Sequence, residues 1–154
     1  MSIHSKDMLV DLYQGDFEEV SCSYDIRRLL SPDSDQLIEF ILKHFSKTWA
    51  SEVKAAIYKN HPSCFIAVKD RKIVGFACYD ATAKGYFGPT GVDEAHRGQK
   101  IGKALLIKSL QALKDEGYGY AIIGGVEPYN FKFYEKTCHA VVIDKSKNIY
   151  KRMV

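Results

Sequence analysis

The stretch from Tyr86 to Ile123 leaves the chain few ways to fold. A strand-like run, Tyr86 to Asp93, passes through a basic loop punctuated by glycine into the strongest helical pattern of the sequence, Ile101 to Lys114. A buried strand, Tyr120-Ala121-Ile122-Ile123, follows. Leu106, Leu110 and Leu113 lie on one stripe of the helix, and Gly117 is placed to end it. The first strand carries its own interruption at Gly88-Pro89-Thr90-Gly91, because proline has no N–H to give to a ladder. A bulge or a local separation from a neighbouring strand is the expected result.

The flanking segments read as further strands and helices of one folded unit. Met8 to Tyr13 has the alternation of a short strand, and Tyr24 to Leu30 reads as another. Ser31-Pro32-Asp33-Ser34 supplies turn and cap residues for a helix from about Asp35 with Leu37, Ile38, Ile41 and Phe45 on its apolar stripe. Trp49, Val53, Ala56 and Ile57 predict a second helix over Thr48 to Lys59, which His61-Pro62 terminates. Two apolar runs, Cys64 to Val68 and Ile73 to Tyr79, joined by the charged turn Lys69-Asp70-Arg71-Lys72, predict a hairpin. Pro128 suits the first residue of a short helix to about Lys136. Ala140 to Ile143 and Ile149 to Met153 are expected to close the chain as a hairpin. With 154 residues and no repeat or linker, we expect a single domain, 23–154, with residues 1–22 as an N-terminal strand and extension packed on it.

Charge and cysteine usage narrow the classes of function. A formal net charge of +3 is too small and too dispersed for a nucleic-acid partner, which needs Lys and Arg along one face. The densest basic cluster is Arg97, Lys100, Lys103 and Lys108, on a loop and helix start, where a few positive charges suit a phosphorylated small molecule. Cys22, Cys64, Cys78 and Cys138 are widely spaced, form no C-x-x-C pair and follow no secretory h-region. Structural thiols in a reducing cytoplasm are the expectation, with no metal. No apolar stretch approaches the roughly 18 residues of a membrane span, so no membrane partner is expected.

The chemistry is concentrated between Val92 and Leu106. The first N–H groups of a helix lack internal partners, and the aligned peptide dipoles place about half a positive charge there. A diphosphate satisfies both. Gly98 and Gly102 let phosphate oxygens approach the main chain without meeting a Cβ, and Arg97 and Lys100 can add charge-assisted contacts. Neither G-x-x-x-x-G-K-[ST] nor G-x-G-x-x-G is present. From spacing alone, a phosphate site and a solvated basic helix start both remain open.

The run Arg97-Gly98-Gln99-Lys100-Ile101-Gly102-Lys103-Ala104-Leu105-Leu106 resembles the acyl-CoA motif of the GNAT superfamily of N-acetyltransferases, and Gln99 to Ala104 match its Q/R-x-x-G-x-G/A core. Downstream, Phe133-Tyr134-Glu135-Lys136 resembles the family's F-Y-x-K segment. Gly-Pro-Thr-Gly-Val and Tyr-Ala-Ile-Ile-Gly-Gly are similar to a bacterial subgroup. The sequence departs from the family at Lys100, usually glycine, at Glu127 and Asn130, often Asn and Ala, and at Cys138-His139, often Gly-Phe.

The resemblance implies a fold of the α/β (α+β) kind: a mixed, mostly antiparallel central sheet with helices on both faces and a splayed strand pair forming an acyl-CoA wedge. It implies acetyl-CoA as co-substrate, with Arg97, Gly98, Gln99, Lys100, Ile101, Gly102, Lys103 and Ala104 at the cofactor pyrophosphate. It further implies Tyr134 as the acid for the departing thiolate, and the amide of Val92 as the oxyanion contact, such a donor being worth roughly 3 kcal/mol of barrier. Both residues would therefore touch the cofactor. An attacking amine must also lose a proton, for which Glu127 is the first candidate and Asp93 and Asp80 are weaker ones; His96 and His139 have less claim. Trp49, Tyr86, Phe87 and Tyr129 either wall an acceptor pocket or pack as ordinary aromatics. The expected partner is a small-molecule or peptide amine, and family habit implies a homodimer. A non-catalytic acyl-CoA sensor is the competing reading, motivated by Glu127 and Cys138-His139.

Overall fold

The computed structural model describes residues 2–15 and 17–154; Met1 and Asp16, both in the expected N-terminal extension, lie outside the described residues. The strands are β1 (Lys6–Asp11), β2 (Asp25–Arg28), β3 (Cys64–Lys69), β4 (Lys72–Tyr79), β5 (Tyr86–Val92), β6 (Tyr120–Val126) and β7 (Val141–Val142). The helices are α1 (Ser34–His44), α2 (Lys47–Ile57), α3 (Ile101–Asp115) and α4 (Phe131–Cys138). Among the described residues, these seven strands form one sheet in the order β2-β3-β4-β5-β6-β1-β7. Every pairing is antiparallel except β5 with β6, the two strands that α3 connects. The mixed, mostly antiparallel sheet expected from the sequence is the one observed.

Alternation along the central strands explains why both faces are covered. In β3, Phe65 and Ala67 point into one core while Cys64 and Ile66 point into the other. The first core packs beneath α3, with Leu105, Leu106, Leu110 and Leu113 buried and Phe131, Tyr134 and Cys138 of α4 against it. The second is closed by Leu37, Phe40 and Ile41 of α1 and Val53, Ala56 and Ile57 of α2. The β3–β4 turn places Asp70 and Arg71 at φ of 50° and 63°, the left-handed pair that matches the twist of a tight hairpin. Among the described residues, no helix is long and apolar enough to cross a membrane.

The end of the chain departs from expectation. Val141–Val142 pairs with β1, not with Ile149 to Met153, and Ile149–Arg152 is a 3-10 turn. Asn148 is the cause. Its side-chain oxygen accepts the N–H of Tyr150 at 2.9 Å and its amide donates to Ser5 Oγ at 2.7 Å, so a side-chain bond captures the backbone that a second strand would have used. The short helix after Pro128 also differs in detail, starting as a 3-10 turn, Pro128–Asn130, that runs into α4.

The α1–α2 corner brings an aromatic side chain to the middle of the sheet. Ser46 caps α2 by accepting the N–H of Trp49 at 3.1 Å, and Trp49 packs edge-on to Phe76 of β4. Replacing Ser46 with Ala is expected to cost about 1 kcal/mol of folding free energy, while Gly at the same place costs only a few tenths. Urea unfolding of the two variants checks this, and equal losses would show that the cap is not what holds the corner.

Candidate active site

The sheet opens where β5 should continue beside β6. Their parallel pairing is limited to Tyr86 with Ile122 and Phe87 with Ile123, and it stops as Gly88-Pro89 begins. Proline removes a ladder donor at the point of separation. On its other edge β5 stays paired with β4 through Val92, with a register shift between Ala77 and Tyr79. The N–H of Asp93 donates to the Val74 carbonyl at 2.8 Å. Antiparallel alternation therefore turns the N–H of Val92 away from β4 and into the opening.

Below the opening, the chain turns sharply into α3. Asp93 caps a short 3-10 turn by accepting the N–H of Ala95 at 3.0 Å, and Arg97 Nε donates back to the Val92 carbonyl at 3.3 Å. Gly98 takes φ of 81°. Lys100, immediately before the helix, takes φ of 65° and ψ of 16°, the left-handed conformation that the glycine of the resembled motif would adopt without strain. The departure from the motif at this position thus changes the residue and keeps a backbone suited to glycine. A Cβ built on Gly102 meets only Val92 Cγ2 at 3.9 Å, so this glycine borders open space and not the core.

Two grooves meet in the opening. The first, of about 440 Å³, is lined by Val92, His96, Arg97, Gly98, Lys100, Ile101, Gly102, Lys103 and Tyr134, with Thr90, Leu106 and Phe133. The second, of about 410 Å³, lies over the strand split. Trp49, Phe87, Glu127, Tyr129, Tyr134 and Tyr150 line it. Tyr134, Phe87 and Thr90 belong to both grooves. Tyr134 is half-buried, and desolvation, with a smaller push from Cys138, raises its hydroxyl to about 12.

Most of the expected site residues converge on this opening. Gln99 and Ala104 do not line the first groove. Gln99 is exposed with its carbonyl facing the Cys22 thiol at 3.7 Å, and Ala104 is buried on the flank of α3 that faces Cys22 and Tyr24. Glu127 lies in the second groove, where its carboxylate accepts the Ser2 hydroxyl at 2.6 Å and the Ser2 N–H at 3.0 Å. These bonds hold its pKa below the usual glutamate value. Asp80 is occupied by the Gly85 N–H and the Tyr118 hydroxyl, and Asp93 by its turn. His96 is bonded to Tyr24 at 2.9 Å, and His139 ends α4 at φ of 57°. Of the aromatic candidates, Tyr86 faces Gly124 instead of the second groove. Tyr150 was not anticipated, because its position depends on the 3-10 turn that replaces the expected strand.

The family model for the acetyltransferase (GNAT) family matches residues 11–140, from the end of β1 to just beyond α4. The chain belongs to this family. Its fold is also that of solved GNAT structures. One is the glucosamine N-acetyltransferase region of a fungal multi-domain β-N-acetylglucosaminidase, with a TM-score of 0.71 and 14% identity, covering 90% of this chain and 19% of that one. A second is a GCN5-related N-acetyltransferase from Sphaerobacter thermophilus, with a TM-score of 0.71 and 20% identity, covering 89% of this chain and 47% of that one. The Escherichia coli GNAT protein YhbS, solved in complex with CoA, has a TM-score of 0.52 and 19% identity, covering 66% of this chain and 62% of that one. The chain thus spans less than half the length of the first two of these proteins. No curated protein matches it.

Lys100 gives this GNAT loop a measurable strain. Lys100→Gly should be more stable than Lys100→Ala by about 1 kcal/mol, because alanine keeps the Cβ that disfavours a left-handed residue. Thermal unfolding of the pair reads the difference. Equal stability would mean that the residue before α3 does not hold that conformation in solution.

Proposed function

We propose that the chain is an N-acetyltransferase that moves an acetyl group from acetyl-CoA to a primary amine by direct attack within a ternary complex. The observation that carries this reading is Tyr134, which stands where the groove along the α3 loop meets a second groove. The YhbS complex supports CoA as the ligand of the first groove, and the glucosamine N-acetyltransferase region supports a small amine in the second.

The main-chain donors from Gly98 to Lys103, with Arg97, Lys100 and Lys103 around them, are suited to a diphosphate. The side chains of the motif residues Gln99 and Ala104 act through the shape of the loop in this reading, not by touching the ligand. The inward N–H of Val92 is placed to polarise a thioester carbonyl. The amine nitrogen attacks the carbonyl carbon, the C–S bond breaks, and the sulfur takes the Tyr134 proton. The amine's surplus proton passes to Glu127, whose lowered pKa keeps it ionised at neutral pH. Exchange with solvent then restores both groups. A raised pKa serves an acid, since Tyr134 keeps its proton until pH approaches about 12.

Three outcomes follow from this reaction. Tyr134→Phe is expected to lower turnover about 10²-fold or more while leaving acetyl-CoA affinity nearly intact, because the hydroxyl acts on charge that develops at the sulfur. Thiol release with an amine and acetyl-CoA measures it, and equal turnover would remove Tyr134 from the reaction. Gly102→Glu should fold normally, given the open space at its Cβ, yet lose CoA binding in calorimetry. Retained affinity would place the diphosphate elsewhere. In the pH profile, no loss of rate assignable to Tyr134 should occur near pH 10; a loss there that disappears in the Phe variant would contradict the raised pKa.

A further inference from the structure

The second groove has an end that the proposed reaction leaves unused. Tyr134 marks the end shared with the first groove, whereas Tyr150 lines the second groove together with a separate hollow beside α2. The two tyrosines therefore stand at different boundaries of one space.

Tyr150 is held in an unusual hydrogen-bonding state. Its hydroxyl donates to Glu52 Oε2 at 2.7 Å, and the Thr82 hydroxyl donates to the same oxygen at 2.5 Å. Glu52 Oε1 is buried and accepts no hydrogen bond, and no ion pair neutralises Glu52 among the described residues. A phenol whose proton is committed to a carboxylate presents only lone pairs to its surroundings. The charge behind that bond makes those lone pairs better acceptors. Burial, and the carboxylate in the same direction, hold the Tyr150 proton on above its usual pKa, so the arrangement persists across the neutral range. Glu52 lines the hollow beside α2 together with Thr82 and Arg152, and its buried, unpaired Oε1 favours a further positive charge nearby. Trp49 and Tyr129 line the same groove, and an aromatic ring beside a cation favours it as well.

We infer that Tyr150, backed by Glu52, binds a second cationic group of the acceptor, so that the substrate class is a small diamine: one amine reacts beside Tyr134 and the other is anchored at Tyr150. The inference rests on the proposed acetyltransferase reading, which puts the reacting amine at the Tyr134 end. In this scheme Tyr150 and Glu52 are specificity-determining and positioning residues, and neither takes part in bond making.

Calorimetric titration of putrescine and of butylamine into the CoA-saturated protein tests this. Both probes carry an ammonium, but only putrescine can engage the two ends at once. Wild type is expected to bind putrescine roughly tenfold or more tightly than butylamine, the scale of one hydrogen bond to a charged group. Glu52→Gln and Tyr150→Phe should each bring that ratio close to one, while CoA affinity measured on the same samples reports an intact fold. If one variant does not fold, the other still decides. Equal affinities in wild type, or a preference that survives in a folded variant, would overturn the inference. Failure of CoA to bind would instead count against the acetyltransferase reading; the amine titrations on the free protein would then still have to show the same preference, and its absence would overturn the inference as well.

Discussion

The loss of two neighbouring strands' hydrogen bonding is the constraint on which the rest of the site depends. β5 and β6 pair only at Tyr86 and Phe87, then part at Gly88-Pro89. A continuous sheet would have consumed the inward N–H of Val92 and left no space between its strands. The split costs ladder bonds in the middle of the molecule, and the fold tolerates it because both sheet faces are covered by helices whose cores remain intact. Backbone polar groups freed inside an otherwise closed structure are suited to a ligand that carries its own donors and acceptors.

Around that split, each part of the site is held by an element with a separate structural reason to be there. The α3 loop ends where it does because Asp93, Arg97 and the left-handed Lys100 turn the chain within a few residues. Tyr134 reaches the opening because α4 packs onto the core beneath α3. Trp49 comes from the capped start of α2, and Tyr150 from a turn made by Asn148. The proposed reaction draws the diphosphate, thioester and amine from these independent supports into one cleft, so a change in one support should affect one step more than the others.

Much of this was legible in the sequence because it is written in local patterns. The stripe of α3, the β3–β4 turn and the glycine-rich loop each depend on residues within a few positions of one another, and each forms where expected. Pro89 announced a bulge or a separation from a neighbouring strand, and β5 parts from β6 there. What could not be read depends on partners far apart in the chain. Glu127 is bonded to Ser2, which lies 125 residues away, and Tyr150 is bonded to Glu52, 98 residues away. Ile149 to Met153 looked like a strand because its composition suits one, but Asn148 and Ser5 decide its geometry. Gln99 and Ala104 match a motif while facing away from the groove, since a motif records residue types and not the direction in which each side chain points.

The central claim is that one cleft holds the cofactor's diphosphate at the start of α3 and its sulfur beside Tyr134. A crystal structure with CoA bound tests it most directly. The account predicts diphosphate oxygens within hydrogen-bond distance of main-chain N–H groups between Gly98 and Lys103, and a sulfur lying between the Val92 N–H and the Tyr134 hydroxyl. A diphosphate bound away from this loop, or a sulfur remote from Tyr134, would contradict it.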